Sequence, residues 1–448
     1  MRTTVVSVGL LTLVVYAAPL RAQGLFTDAR RAGMGGVSLT RDGTLERYNP
    51  AYRSVPKRTR AGGGPKFTIP LPIGLIQWAH DHPGWSKDPM FHPDSARFNP
   101  IETIDLILNP PFYYEVRKPL TPTNDVEFTV GKDALQIDLG NVRKLVPGDQ
   151  FGVSGSSRPL DIEPGFKGFR AGVTGWLHDD VELQLGDSLL SFLKDAQPAR
   201  HNTRYAIDGS GLVEGGFAPS AGYSGRIVGN DKQALYVGVA AHYYIGASYA
   251  RSVGTGGFTT GDTIFAGPNP VTPDATVTTS YSKWSNTKGH GVGVDLGFAW
   301  VSGPIEFGVG VNDIGATITW PDTRIDYQHY DTATSKLVTD SSRLGVETKT
   351  KLPVSYIVNV AYTSGSSTVG VNLLNNGRGT RIHIGAEQRF GPFVIRGGVA
   401  RDQRKKLELA GGAGIRLGPF ELDAGLWTHS NSLSDQRGIT LATSLAIY

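Results

Sequence analysis

Thr380 to Phe390 reads TRIHIGAEQRF, which puts Ile382, Ile384, Ala386 and Phe390 on one face of an extended chain and Arg381, His383, Glu387 and Arg389 on the other. A period of two with one apolar and one charged face marks a strand whose two sides meet different media. The same period runs through Leu235 to Ala250, where Leu235, Val237, Val239, Ala241, Tyr243, Ile245, Ala247 and Tyr249 alternate with Gly238, His242, Gly246 and Ser248. It returns in His290 to Val301, where Val292, Val294, Leu296, Phe298 and Trp300 are separated by Gly291, Gly293, Asp295 and Gly297. A soluble sandwich alternates too, so the order of connections decides. Gly303-Pro304, Ser364-Gly365-Ser366, Gly391-Pro392 and Gly418-Pro419 are very short turns, and between them fall the longer connections Pro321 to Leu352, Asn375 to Gly379, Arg401 to Lys405 and Ser430 to Gln436. Followed up and down, every short turn and the terminal Tyr448 lie on one edge and every longer connection on the other. That order predicts an all-β, transmembrane antiparallel up-and-down barrel with brief periplasmic turns.

Composition removes the competitors. The chain has no Cys, so disulfide scaffolds, Cys-ligated metals and thiol catalysis are out. Mean hydropathy is −0.18 and no run of about 18 apolar residues occurs, which excludes a helical membrane protein. Gly accounts for 58 of 448 residues, about twice the average share of roughly 7%, without a collagen period. The formal net charge of +4 is spread along the chain and does not point to nucleic acid. Arg2 ahead of the apolar stretch Val5 to Ala18, closed by Arg21-Ala22-Gln23, has the form of a secretory signal peptide over residues 1–22. The mature chain is therefore expected in the cell outer membrane of a Gram-negative-type envelope, in contact with outer-membrane lipid.

The first two hundred residues alternate less clearly. Arg60 to Trp78, Pro110 to Lys118, Val126 to Leu139 and Phe166 to His178 read as strands, and Gly186 to Ala196 reads as a short helix. Together with nine C-terminal strands and two near 217–228 and 235–250, they bring the barrel to about 14 strands, within 12–16. The surplus Gly falls at alternating interior positions, among them Gly291, Gly293, Gly297, Gly308, Gly310, Gly412 and Gly414, where it leaves room inside or lets the sheet curl. In Ile305 to Trp320 the apolar parity changes at Asn312-Asp313, which predicts a bulge or strand kink there.

Ala29 to Ala51, ARRAGMGGVSLTRDGTLERYNPA, resembles the start of mature FadL-type outer-membrane barrels and their PorV/TraF-like relatives, matching at Ala29, Arg30, Gly33 to Gly36, Asp42 and Asn49-Pro50-Ala51. Val309 to Gly315 and His383 to Gly398 resemble later pieces of the same family. The resemblance implies an N-terminal hatch folded into the lumen, here 23–57 with Gly33, Met34, Gly35, Gly36, Asn49, Pro50 and Ala51, ahead of a barrel over 58–448. It further implies passage of a small hydrophobic ligand by a lateral route, with Asn312 and Asp313 the candidate kink. PorV-like relatives suggest an alternative: a non-transporting barrel that docks or escorts a secreted or surface protein through outer loops, notably 251–289 and 321–352.

Other constellations are weaker. His80-Asp81-His82 with His92 could hold a metal, but a polar loop accounts for it, and neither metal nor cofactor is expected. No H-E-x-x-H, G-x-S-x-G or Walker segment occurs, so the chain is not read as an enzyme. The charges Asp295, Glu306, Arg381, His383, Glu387, Arg389, Arg396, Lys406, Glu408, Arg416, Glu421 and Asp423 are expected to face the lumen, pairing with one another or lining a water-filled path. Trp176, Tyr236, Trp284, Trp300, Trp320, Tyr356, Tyr362 and Trp427 fall near strand ends, as interfacial girdles require.

Overall fold

The structure, a computed structural model, describes residues 28–39, 45–56, 67–81, 114–116, 127–131, 134–138, 150–195, 197–230, 232–264, 271–282, 288–375, 377, 379–401, 407–430 and 437–448. The signal-peptide stretch, Asp42, His82, His92, Trp284 and Lys406 lie outside them. In chain order the strands are β1 (Phe67–Leu71), β2 (Tyr114–Val116), β3 (Glu127–Gly131), β4 (Ala134–Asp138), β5 (Gln150–Ile162), β6 (Gly165–Phe166), β7 (Phe169–Leu185) and β8 (Arg204–Gly229). They continue as β9 (Gln233–Thr260), β10 (Val271–Ser282), β11 (Gly289–Ser302), β12 (Ile305–Asp331), β13 (Lys336–Lys351) and β14 (Ser355–Ser364). The last are β15 (Ser367–Asn375), β16 (Thr380–Phe390), β17 (Phe393–Arg401), β18 (Leu407–Leu417), β19 (Phe420–Ser430) and β20 (Arg437–Ile447).

Apart from the hairpin β3–β4, these segments form one 18-stranded antiparallel sheet in which chain neighbours pair. Four positions in it hold two segments end to end: β1 and β2 along β20, β5 and β6 along β7, β10 and β11 between β9 and β12, and β13 and β14 along β12. The sheet therefore has fourteen strand positions. The β13–β14 break falls at Pro353, which has no N–H to give a ladder. Gly303, Gly365, Gly391 and Gly418 take positive φ of 53°, 54°, 59° and 61° at the first position of two-residue turns, the conformation that a tight hairpin with right-handed strand twist demands. These turns share an edge with the C-terminus, where the Tyr448 N–H donates to the Pro419 carbonyl at 2.8 Å.

The sides of the sheet are inverted relative to a soluble protein. Ile382, Ile384, Ile395, Val369, Leu422 and Leu426 are exposed on the outside, while His383, Glu387, Arg396, Glu421 and Asp423 are buried within. Lipid on the outer face selects this distribution. Among the described residues no helix is long and apolar enough to cross a membrane.

Two expectations change. The described part of the strand read over Arg60 to Trp78 is β1 followed by the helix Ile73–Asp81, so His80 lies on a helix and not on a strand. Residues 251–289 and 321–352, expected as loops, are largely strand: β9 has 28 residues, β12 has 27 and β13 has 16, where a tilted crossing takes about 9–11. Residues 251–260 of β9 are rich in Thr and Gly, and residues 321–331 of β12 carry Asp, Arg, Gln and His with Thr323, Asp326 and Gln328 buried on one side, so no apolar face signalled them. The helix expected at Gly186 to Ala196 is present as Asp187–Lys194, its Phe192 packed with Tyr205 and Ile264.

The far end of the β12–β13 hairpin adds nothing to the wall. Removing residues 330–337 and closing His329 to Val338, which face each other across the ladder, with an Asn-Gly turn is expected to leave heat-modifiable migration on a detergent gel unchanged.

Candidate functional site

Residues 28–39 and 45–56 lie inside the curved sheet and touch wall strands from β7 round to β20. The helix Ala29–Gly33 rests on β17 to β20, and the turn Pro50–Ser54 rests on β8, β9 and β11. What admits them is a row of wall glycines. Gly425 faces Ala29 and Ala32, Gly412 faces Gly33, Gly398 and Gly385 face Met34, and Gly370 faces Val37 and Leu39. Farther round, Gly308 faces Tyr52, Gly310 faces Tyr48 and Asn49, Gly297 faces Asn49 and Pro50, and Gly238 faces Pro50 and Ala51. Most are cross-strand neighbours: Gly425 opposes Gly412, Gly398 opposes Gly385, Gly385 opposes Gly370, Gly310 opposes Gly297, and Gly297 opposes Gly238. A β-carbon at Gly412 would stand 3.0 Å from the Gly33 Cα.

The described residues of the segment pair with no strand, so their carbonyls need donors from elsewhere, and the wall supplies them. His383 Nδ1 donates to the Gly35 carbonyl at 2.7 Å, Asn372 to Ser38 at 3.1 Å, Asn312 to Tyr48 at 2.9 Å and Arg170 to Arg53 at 2.9 Å. Asn49 caps its own turn by accepting from the Ala51 N–H at 3.0 Å and donates to the Phe298 carbonyl at 2.9 Å. Asn359 donates to the Tyr52 hydroxyl at 2.6 Å, and burial pushes the ionisation of that hydroxyl above its usual range. Ion pairs hold both ends. Arg30 grips Glu387 through two bonds of 2.7 and 3.1 Å, and Arg53 pairs with Glu163. Glu387 is shared with Arg396, which also binds Glu421 at 2.8 Å and Asp423 at 2.5 Å.

The wall is irregular just beyond Asn49. Leu296 pairs Val311, Val294 pairs Ile314 and Val292 pairs Thr317, so β12 carries one extra residue at Asn312-Asp313 and another at Gly315-Ala316. Asp313 and Gly315 sit at φ of 60° and 71°. The Asp313 N–H donates to the Asp295 side chain at 2.9 Å. Arg158 of β5 bonds Asp295 at 2.5 and 3.0 Å and Asp313 at 2.8 Å, Tyr244 donates to Asp313 at 2.5 Å, and His242 Nε2 lies 2.8 Å from Asp295.

Gly33, Met34, Gly35, Gly36, Asn49, Pro50 and Ala51 are thus all placed against the inner wall, and Asn312 and Asp313 occupy the first extra position of β12. Asp295, Glu306, His383, Glu387 and Arg396 are buried inside, Arg381 and Arg389 half-buried. Arg416 stands apart at the turn edge, stacked 3.8 Å over the Tyr448 ring. The girdle reading is corrected for Trp176, Tyr236, Trp320 and Trp427, which are buried inside, whereas Tyr356 and Tyr362 face outward. The second extra residue of β12 turns Trp320 inward, where its ring lies against Gly246 and Gly289 and its Nε1 donates to Glu214 at 3.0 Å. Arg158, His242, Tyr244, Asn359 and Asn372 were not singled out from sequence; Asn359 and Asn372 carried a signal in their interior parity, Arg158 none, because β5 was not read as a strand.

Gly398→Val is expected to push Met34 off the wall, costing about 1–3 kcal/mol and speeding amide hydrogen exchange over residues 29–39. Gly397→Val, whose β-carbon would meet nothing within 4 Å, is expected to leave that exchange unchanged.

A family described as "F plasmid transfer operon, TraF, protein" matches residues 152–373, just under half of the chain. Among curated proteins none matches. Of solved structures, the TodX deltaS2S3 mutant monoaromatic hydrocarbon channel is 10% identical, with 70% of this chain and 83% of that chain covered and a TM-score of 0.32. The CymD monoaromatic hydrocarbon channel is 14% identical, with 67% and 88% covered and a TM-score of 0.31. A mutant of the Rh. blastica porin is 10% identical, with 61% and 99% covered and a TM-score of 0.19.

Proposed function

We propose that the chain is an outer-membrane β-barrel channel, that residues 23–57 form its hatch, and that small hydrophobic molecules leave sideways through the wall at the β11–β12 irregularity. The observation that carries this reading is a segment seated inside the wall, its described residues without a ladder to it and held by side chains that can let go. A covalently and ladder-bonded core would not need a wall cleared of side chains along its whole path. The apolar outer face supports a lipid surround, and two successive extra residues in β12 interrupt the ladder beside the hatch. An apolar solute leaving there enters lipid directly.

In proteoliposomes, removing residues 24–57 is expected to raise permeability to small solutes. The paired change Arg30→Gln with Glu387→Gln, which releases the hatch without stranding one charge of that pair, is expected to raise it severalfold. If full-length, truncated and released proteins all leave vesicles sealed to polar and apolar probes alike, the channel reading is wrong.

A second reading, docking of a secreted or surface protein, is favoured by the reach of β9, β12 and β13 beyond a membrane crossing. It predicts a partner that copurifies after gentle extraction and is lost when residues 330–337 are removed; a partner-free barrel from native membranes counts against it.

A further inference from the structure

The outer half of the wall holds two adjoining cavities of opposite charge. One, of about 280 Å³, is bordered by Arg251 of β9, by Lys349 and Lys351 of β13, and by Asp180 of β7. The other, of about 450 Å³, is bordered by Glu182 of β7, Asp208 of β8 and Thr255 of β9. Ser210 borders both, so the two form one groove with a basic end and an acidic end.

The floor of the basic end is already satisfied. Glu214 receives bonds from Trp320 at 3.0 Å and Thr350 at 2.5 Å and lies 2.8 Å from His178 Nδ1, so this buried carboxylate does not draw on the cations above it. Lys349 lies 3.1 Å from Glu347 on its own strand, and Asp180 and Glu182 have partners of their own. Arg251, Lys351 and Asp208 have no ion-pair partner among the described residues. Nor do the two ends neutralise each other. Arg251 opposes Leu212 and Thr255 opposes Asp208 in the β8–β9 ladder, so the opposite charges stand four residues apart, about 13 Å at roughly 3.3 Å per residue. At the level between them the hydroxyl-bearing Ser210 and Thr278 flank Val253.

Unpaired charges of opposite sign at a fixed separation, with hydroxyls between them, specify a ligand that carries an ammonium at one end, a carboxylate at the other and hydrogen-bonding groups along its body. An extended peptide of four residues spans about 13–14 Å at roughly 3.3–3.6 Å per residue and has that chemistry. We propose that this groove binds a short peptide by its two free ends, the ammonium at Asp208 and the carboxylate at Arg251 and Lys351. The Arg251 guanidinium donates to the carboxylate oxygens, Lys351 adds a second cation, and the opposed fields of the two ends orient the chain as it arrives. Peptide amides in the middle meet Ser210 and Thr278. The site is separate from the hatch and does not depend on what crosses the wall.

The test is equilibrium binding of tetra-alanine to the full chain in a neutral detergent, beside tetra-alanine acetylated at its N-terminus and tetra-alanine amidated at its C-terminus. Each cap is expected to weaken binding about tenfold, the loss of one charge-assisted contact. Arg251→Gln with Lys351→Gln is expected to weaken binding of the free peptide about tenfold and to leave that of the amidated one unchanged. Asp208→Asn is expected to do the same for the free and the acetylated peptide. Free and capped peptides bound alike, no binding to a chain that shows heat-modifiable migration, or inorganic phosphate competing as well as the peptide, which would leave the basic end acting alone, overturns the proposal. The caps are compared on the unaltered chain, so a variant that fails to fold does not remove the test. No arm requires passage across a membrane: sealed vesicles with this binding intact would defeat the channel reading alone, and permeation without it would defeat this inference alone.

Discussion

The interior is organised by an absence: at one row of wall positions there is no side chain. Gly425, Gly412, Gly398, Gly385, Gly370, Gly310, Gly297 and Gly238 follow one another across the strands, and the N-terminal segment lies along them backbone to backbone. Gly in a strand costs about 0.5–1 kcal/mol relative to Ala, so a row of them weakens the wall. Burial of Ala29, Met34, Val37, Leu39, Leu45 and Tyr52 against that wall works in the opposite direction. Segment and wall therefore stabilise each other, and neither is complete alone.

The charges inside follow from that seat. With apolar residues committed to the outer face, interior positions carry polar groups, and each needs a partner. Arg396 meets Glu387, Glu421 and Asp423 within the wall, while Arg30 reaches from the segment to the same Glu387 and ties the two together. Buried pairs of this kind contribute little net stability but penalise any other register. The Arg158 cluster differs in spanning the interior, and it sits where β12 has two residues too many.

Much of this was legible in the residues. The C-terminal strands, the short-turn edge and the inward parity of His383, Glu387 and Arg396 follow from a period of two and from short Gly-containing turns, whereas β5 was not read and the hairpin β3–β4, read as one strand, lies outside the large sheet. Interior glycines were visible as a surplus, but their alignment across strands was not, because register depends on turn lengths and extra residues that parity alone does not supply. Trp320 shows the limit. Its parity relative to Ile305 placed it outside once a single extra residue was counted, and the second one, at Gly315, returned it to the interior. The outer halves of β9 and β12 to β13 were hidden for a different reason: polar side chains on both faces, Thr323, Asp326 and Gln328 buried on one of them, leave no apolar side to alternate.

The central claim, a segment seated on the inner wall, has a direct test because the chain contains no cysteine of its own. Ser54→Cys with Ser224→Cys places one thiol on the segment and one on β8, at positions whose native hydroxyl oxygens lie 2.7 Å apart. In protein assembled in native membranes, oxidation is expected to join the two quantitatively and to change migration on a non-reducing gel. If that pair stays reduced while a control pair across neighbouring wall strands, Val369→Cys with Ala386→Cys, becomes joined, the segment is not seated where this account puts it.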